Sequence, residues 1–456
     1  MPPAAPTSSA LISSGVPARA VPFYDAVVVG AGAAGLMCAI AAARRGRSVL
    51  LIEHGRAPGE KIRISGGGRC NFTNMNTTPA NFISDNPRFC VSALSRFGPR
   101  DFVAMVDRAG IAWHEKAASG TESRGSETGG SEPGGTETGQ LFCDGSARQI
   151  VDMLTGAFAE AGGELSLSTR VEAVERSPDA GEGTGKGAGE EARFWLQLSH
   201  GPVECRSLVV ATGGLSIPKM GATGFGYDLA ERFGLRVVPI FPALVPLTFD
   251  APTLERLRPL AGIAVDARVA TLPAPPSGKK TPRPTAFAAP VLFTHRGLSG
   301  PAILQISSYW REGEALAVPL APGVDQFAAR RAHRAARPRQ APRTALAQWL
   351  PKRLAEAIAE GLGVTGNLAD LPDRTLRALD AAVNGWHVRP AGTEGWRTAE
   401  VTRGGVDTAC LDGRTMEARG VPGLHFVGEV VDVTGWLGGY NFQWAWASGW
   451  AAGQAV

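Results

Sequence analysis

Three glycines in six residues, Gly30-Ala-Gly-Ala-Ala-Gly35, stand directly after the apolar run 26–29 and directly before Leu36-Met-Cys-Ala-Ile-Ala-Ala-Ala43. The chemistry that needs this spacing is the cradling of a pyrophosphate. Gly30 permits a tight turn, Gly32 lets phosphate come up to the backbone, and Gly35 lets the helix sit close on the strand. Ala33 and Ala34 open that helix, whose positive N-terminus suits an anion. A second apolar run, 48–52, ends on Glu53. An acid there accepts hydrogen bonds from a ribose and repels a further phosphate, which favours FAD or NAD over NADP.

A denser cluster follows at 60–74. Ser65, Gly66, Gly67, Gly68, Arg69, Asn71 and Thr73 offer backbone N–H groups, hydroxyls and one fixed cation, the parts of an anion-binding nest. Three adjacent glycines are entropically expensive, which argues for a close backbone approach. Ala211-Thr-Gly213 ends another apolar run and returns the chain toward the nucleotide. Gly428, Glu429 and Asp432 lie just past a run at 424–427, where a carboxylate can hold sugar-alcohol hydroxyls. Gly438 and Gly439 then open a helix through 445–452 whose N-terminus would favour negative charge on a ring. Trp444, Trp446 and Trp450 require burial of the same helix.

Other chemistry is thinner. Cys38, Cys70, Cys90, Cys143, Cys205 and Cys410 are scattered without a CxxC pair or metal spacing, which excludes a redox dithiol and points to a reducing compartment. Cys70 reads as a packed or cofactor-lining thiol, with a thiolate beside Arg69 as the alternative. His295, in a glycine-flanked turn, reads as a proton donor, a substrate ligand or a turn residue. No catalytic acid or base is assigned, and no metal site.

The elements that must carry these residues alternate between strand and helix. Helix signals at 150–161, 344–360 and 375–383 and strand signals at 165–167, 170–174, 207–211, 264–270 and 288–293 give an α/β chain. Its 456 residues suit two or three domains, and a 44% hydrophobic, 19% charged composition is globular. After Gly234 prolines become frequent, and a nucleotide-type strand returns only at 424–427. The expected division is a disordered leader at 1–22, a nucleotide domain at 23–234, an inserted domain at 235–400, and completion of the first domain by 401–456. Segments 117–139, 177–192 and 272–285 read as flexible loops. The apolar stretches 26–43 and 433–456 read as buried elements rather than membrane spans. A net charge of +4 and an arginine patch at 330–343 without interleaved aromatics read as a solvated helix end, with no nucleic-acid partner expected.

Together the segments 25–53, 61–74, 208–234, 293–303 and 415–453 resemble the bacterial aminoacetone-oxidase-like, FAD-dependent oxidoreductases. The specific signatures are Ser65-Gly-Gly-Gly-Arg-Cys-Asn71, Phe293-Thr-His-Arg-Gly-Leu-Ser-Gly-Pro301 and Gly438-Gly-Tyr-Asn441. The resemblance implies a Rossmann-like FAD-binding fold of the two-dinucleotide-binding type, with an inserted β-barrel and helical domain. It implies that Lys61 and 65–71 lie along the flavin side and that Val171 touches adenine. Ala211, Thr212 and Gly213 would flank the pyrophosphate, and Glu429, Asp432, Gly439, Tyr440 and Asn441 would surround the ribityl chain and ring. The reading is a cytoplasmic oxidoreductase passing hydride through non-covalent FAD to or from a small organic substrate, with NAD(P)H or oxygen as the second partner. Alternatives are a flavin-binding RNA-modifying or regulatory protein using the 330–343 patch, and an FAD holder without turnover.

Overall fold

The computed structural model describes residues 21–117, 138–176, 193–272 and 284–456. The expectations for segment 177–192, and for nearly all of the leader and of 117–139 and 272–285, fall outside these residues.

Four consecutive fully buried residues at 26–29 require a strand covered on both faces, and Phe23–Val29 is the centre of a sheet. It pairs in parallel with Val49–Ile52 on one side and Gly201–Val210 on the other. Parallel pairing continues from Val49–Ile52 to Glu164–Ser166, and from the end of Gly201–Val210 to Leu424–Phe426. The first half of Gly201–Val210 instead joins Phe194–Leu198 and Val171–Arg176 in an antiparallel meander. The parallel strands therefore release Gly30, Glu53, Ala211 and Val427 along one edge, where open α/β sheets bind ligands.

Helix Ala33–Ala43 and helix Tyr440–Gly453 cross in backbone contact. A Cβ on Gly449 would fall 2.2 Å from the Ala34 carbonyl oxygen, and one on Gly453 would fall 2.5 Å from that of Cys38. The indole of Trp446 stacks on Phe102 at 4.3 Å and donates to the Phe72 carbonyl. Such a stack adds about 0.5–1.5 kcal/mol beyond its buried area. Neither apolar stretch is a membrane span: among the described residues no helix is long and apolar enough to cross a bilayer.

A second core lies around an antiparallel sheet of seven short strands. Its order runs His387–Val388, Leu316–Ala317, Ala264–Thr271, Ala286–Thr294, Gly297–Ser299, Leu247–Thr248, Gly392–Thr393. Val265, Ala267 and Val269 alternate inward and pack with Phe293, Ile303 and helices Lys352–Gly361 and Asp373–Asn384. The two outermost strands are not paired with each other among the described residues, so the sheet is a curled half-barrel rather than the closed barrel expected. The single helix expected at 344–360 is two, Pro342–Leu346 and Lys352–Gly361, separated at Pro351, which has no N–H to donate and takes extended backbone (φ −52°, ψ 138°). The chain leaves the first sheet along Val237–Ala243 and returns along Val401–Val406, which pair antiparallel.

Candidate functional site

A cavity of about 1080 Å³ opens at the released ends of the parallel strands, between them and the second unit. Its inner wall is the glycine turn, and the three glycines do different work. A Cβ on Gly35 would lie 1.9 Å from the Gly30 carbonyl oxygen, and one on Gly30 would lie 2.5 Å from that of Ala211. Both serve the close packing of strand, turn and helix. Gly32 has nothing within 4 Å of its Cβ position and faces the cavity with Ala33 and Ala34.

Glu53 is bound to that turn. Its Oε2 accepts from the Ala31 N–H at 3.0 Å and its Oε1 from the Gly55 N–H at 2.8 Å, with His54 Nδ1 3.0 Å away. Thr169, Arg170 and Val171 continue the wall beside it. Further along, Lys61 Nζ donates to Ser216 Oγ at 2.8 Å and to Glu429 Oε2 at 3.0 Å. Glu429 Oε1 accepts from Ser216 Oγ and from the Thr402 N–H. Burial pushes the Glu429 carboxyl up, but the Lys61 charge and these hydrogen bonds outweigh it and hold the group below its ordinary value. Helix Tyr440–Gly453 grips the preceding residue at both polar groups. Gly428 N–H donates to Ser448 Oγ, and Trp444 Nε1 donates to the Gly428 carbonyl.

Of the residues singled out in the sequence, Ser65, Gly66, Gly67, Asn71, Ala211, Thr212, Gly213, Gly439 and Asn441 also reach the cavity. Gly66 and Gly67 take positive φ, +56° and +66°, where the Glu60–Gly68 helix kinks. Asn71 Oδ1 and Thr212 Oγ1 are buried at this wall without a hydrogen-bond partner, as if reserved for a polar ligand. Asn441 uses its own amide to hold Gly435 and Trp436, so what it offers the cavity is backbone.

Gly68, Arg69, Cys70, Asp432 and Tyr440 do not line the cavity, and nor does Gly35. The Gly68 and Arg69 carbonyls accept from Ala147 and Cys143, and Arg69 is exposed. Cys70 is wholly buried, which raises its thiol pKa and removes the reactive-thiolate reading. Asp432 is spent on the Asp85 N–H, and Tyr440 packs edge-on against Phe82. His295 is exposed in a hairpin turn that Thr294 Oγ1 ties together, away from the cavity. A Cβ on Gly439 would meet the Thr73 carbonyl at 2.4 Å, so a bulky residue there would unseat the helix before it touched any ligand.

The outer wall was not legible in the sequence. Leu244, Glu400 and Val401 come from the two crossing segments, Pro301 from the second unit, and Leu437 from the turn before helix Tyr440–Gly453. Ser216 and Thr402, which hold Glu429, were also missed. The pair Gly404-Gly405 was the available signal: a Cβ on Gly405 would fall 2.5 Å from the Val430 carbonyl, which seats Thr402 beside Glu429.

A glycine turn, a ribose-type acid and an anion-suited helix N-terminus around one large cavity define an α/β Rossmann-like dinucleotide fold with a curled half-barrel sheet. The chain belongs to the FAD-binding family described as HI0933-like protein Rossmann domain, matched over residues 24–121 and 127–455, the family to which the aminoacetone-oxidase-like resemblance pointed. It is a flavoenzyme of the reductase class. It is 48% identical to the ribosomal RNA dihydrouridine synthase of Escherichia coli K12, over 94% of this chain and 97% of that one. The Haemophilus influenzae ribosomal RNA dihydrouridine synthase is 41% identical over 95% and 98%. A 3-dehydro-bile acid delta(4,6)-reductase of Clostridium scindens is 28% identical over 94% and 98%.

The first two relatives overturn the expectation of no nucleic-acid partner and favour the RNA-modifying alternative. The arginine patch is divided, with Arg331, Arg337, Arg339 and Arg343 exposed. Arg330 is fully buried, Arg334 is paired with Asp373 and the Leu371 carbonyl, and Arg331 lies over Phe327. Part of the patch belongs to the packing of the second unit.

Proposed function

We propose that this chain is a ribosomal RNA dihydrouridine synthase, reducing the C5–C6 double bond of a uridine in cytoplasmic ribosomal RNA. The observation that carries the reading is near full-length likeness, at 48% and 41% identity, to two enzymes of that name. The third relative supports the chemistry. Uridine and a 3-dehydro delta(4,6) bile acid both carry a carbon–carbon double bond conjugated with a carbonyl, and each reduction adds two hydrogens to it.

FAD fits the wall described. Gly30, Gly32 and the Ala33–Ala43 helix N-terminus would hold the pyrophosphate, Glu53 a ribose, and Val171 the adenine. Lys61, Asn71, Glu429 and the backbone at 439–441 would hold the ribityl and ring end. The N-terminus of helix Tyr440–Gly453 carries roughly half a positive charge, which favours an anionic ring by about 0.3–1 kcal/mol, or up to about 2 kcal/mol when partly buried. When bound, FAD supplies the hydride, and the electrons come to it from NADH or NADPH. The protein's part is to orient the base against the cavity, to exclude water and to provide the proton.

The test is anaerobic. Reduced, FAD-loaded protein mixed with ribosomal RNA lacking dihydrouridine should regain oxidised-flavin absorbance while a uridine gains two hydrogens by mass. Reoxidation by a small enone but not by RNA would return the reading to a small-molecule reductase.

A further inference from the structure

Four carboxylates besides Glu400 line the cavity, and each has a place that suits a charge. Glu53 is tied to two backbone N–H groups and faces His54. Glu429 is locked to Lys61, Ser216 and Thr402. Glu60 and Asp228 stand in the first turns of helices Glu60–Gly68 and Phe225–Arg232, where the helix dipole favours an anion.

Glu400 has none of these. It precedes the returning strand Val401–Val406 and makes no side-chain hydrogen bond or ion pair among the described residues. Its backbone N–H is tied to the Leu244 carbonyl. The cavity wall beside it is apolar, formed by the cluster of Leu244, Val401 and Leu437. Its carboxyl is open to the cavity, yet dense protein surrounds it, and burial pushes its pKa up. The cations on the same wall do not compensate. Lys61 is engaged by Glu429, and neither Lys116 nor Arg170 makes an ion pair with Glu400.

We propose that Glu400 is the acid that protonates the substrate carbon next to the carbonyl. This rests on the reading of the chain as a uridine reductase. Hydride delivery to C6, the chemistry reduced FAD would supply when bound, would leave an enolate spread over C5, C4 and O4 of the substrate. The Glu400 O–H bond breaks, a C5–H bond forms, and the O–H electron pair stays on the carboxylate. Solvent water then returns a proton to Glu400. A carboxyl that its surroundings make a weaker acid than an ordinary glutamate suits this step, because it holds its proton to higher pH.

The experiment separates the two half-reactions on FAD-loaded full-length protein. Glu400→Gln should retain FAD and be reduced by dithionite as the wild type is. Its reoxidation by ribosomal RNA should slow by about 10²–10⁴-fold, the usual contribution of a general acid, and Glu400→Asp should recover part of the rate. The wild-type rate should fall as pH rises through the Glu400 pKa, and that limb should vanish in Glu400→Gln. Independently of turnover, an infrared pH titration of wild type against Glu400→Gln should show the Glu400 carboxyl taking up its proton above the ordinary glutamate value of about 4.3. An unchanged reoxidation rate in Glu400→Gln, or a Glu400 titration at or below the ordinary glutamate value, would overturn the assignment. Failure of wild-type protein to be reoxidised by RNA would count instead against the uridine-reductase reading.

Discussion

The two walls of the cavity are built on opposite principles. The inner wall is backbone and fixed charge: the glycine turn, Glu53 held by two N–H groups, and the closed set of Lys61, Ser216, Thr402 and Glu429. The outer wall, with Leu244, Pro301, Val401 and Leu437, is apolar and carries one unpaired acid, Glu400. A wall whose polar groups are already oriented costs little to organise around a resident ligand. An apolar wall with a single polar group suits a partner that comes and goes. On the proposed function, the inner wall would hold the cofactor and the outer one would meet the base being reduced.

The inner wall can be broken most severely at Gly35. A valine there would drive side-chain atoms into the Gly30 carbonyl, and Gly35→Val should yield little soluble protein and no bound flavin, as read from yield and flavin absorbance. Glu53→Ala should leave the fold intact and weaken FAD by about ten- to hundredfold, since a hydrogen bond to a charged group contributes about 1.5–3 kcal/mol. Equilibrium dialysis against free FAD measures this, and unchanged affinity would make Glu53 a brace for the turn alone.

Gly32→Ala is the cleaner probe of contact. Gly32 has φ −83° and an open Cβ position, so alanine is tolerated by the chain and meets only what occupies the cavity. FAD should bind about tenfold more weakly, the effect of roughly 1–3 kcal/mol of overpacking, with the melting temperature of the apoprotein unchanged. A lowered apoprotein melting temperature would place Gly32 with Gly30 and Gly35 as a packing glycine.

The smallest effect concerns Lys61. The Glu429 carboxyl lies below its ordinary value, so the pair contributes stability above the unfolded pKa of about 4.3 and loses it as pH falls through the folded value. In Lys61→Met the hydrogen bonds from Thr402 and Ser216 remain, but the Lys61 charge that most opposes burial is gone, so the Glu429 pKa should rise and the variant should be less stable than the wild type near neutrality. The gap should narrow as acid protonates Glu429 in both proteins. Melting temperatures measured from neutral to acid pH give the result. A gap that stays constant with pH would mean that Lys61 acts through packing.

The inner wall was readable because its parts are local. Gly30, Gly32, Gly35 and Glu53 are set by a strand, a turn and a helix that follow one another, and each glycine answers a backbone demand. The outer wall was not, because Leu244, Pro301 and Glu400 meet only after the chain has left the first sheet and returned. Nothing near Glu400 in the chain distinguishes it from a surface acid. Asp432 and Tyr440, expected around the ribityl chain and ring, lie off the cavity wall for a related reason. Their neighbours Glu429 and Gly439 face the cavity, and a side chain's direction past a short turn is decided by packing. The arginine patch departs from its reading at one position: Arg331, Arg337, Arg339 and Arg343 are exposed as a solvated helix end requires, while Arg330 is interior to the second unit.

The central claim is met most directly in ribosomal RNA itself. A host strain deleted for its own dihydrouridine synthase of this family would be complemented with this chain or with its Gly35→Val variant, and its ribosomal RNA would be mapped by mass spectrometry. The chain should restore a two-hydrogen increment at a discrete uridine, and Gly35→Val should not. Ribosomal RNA without that increment, in cells containing the folded and FAD-loaded protein, would contradict the claim.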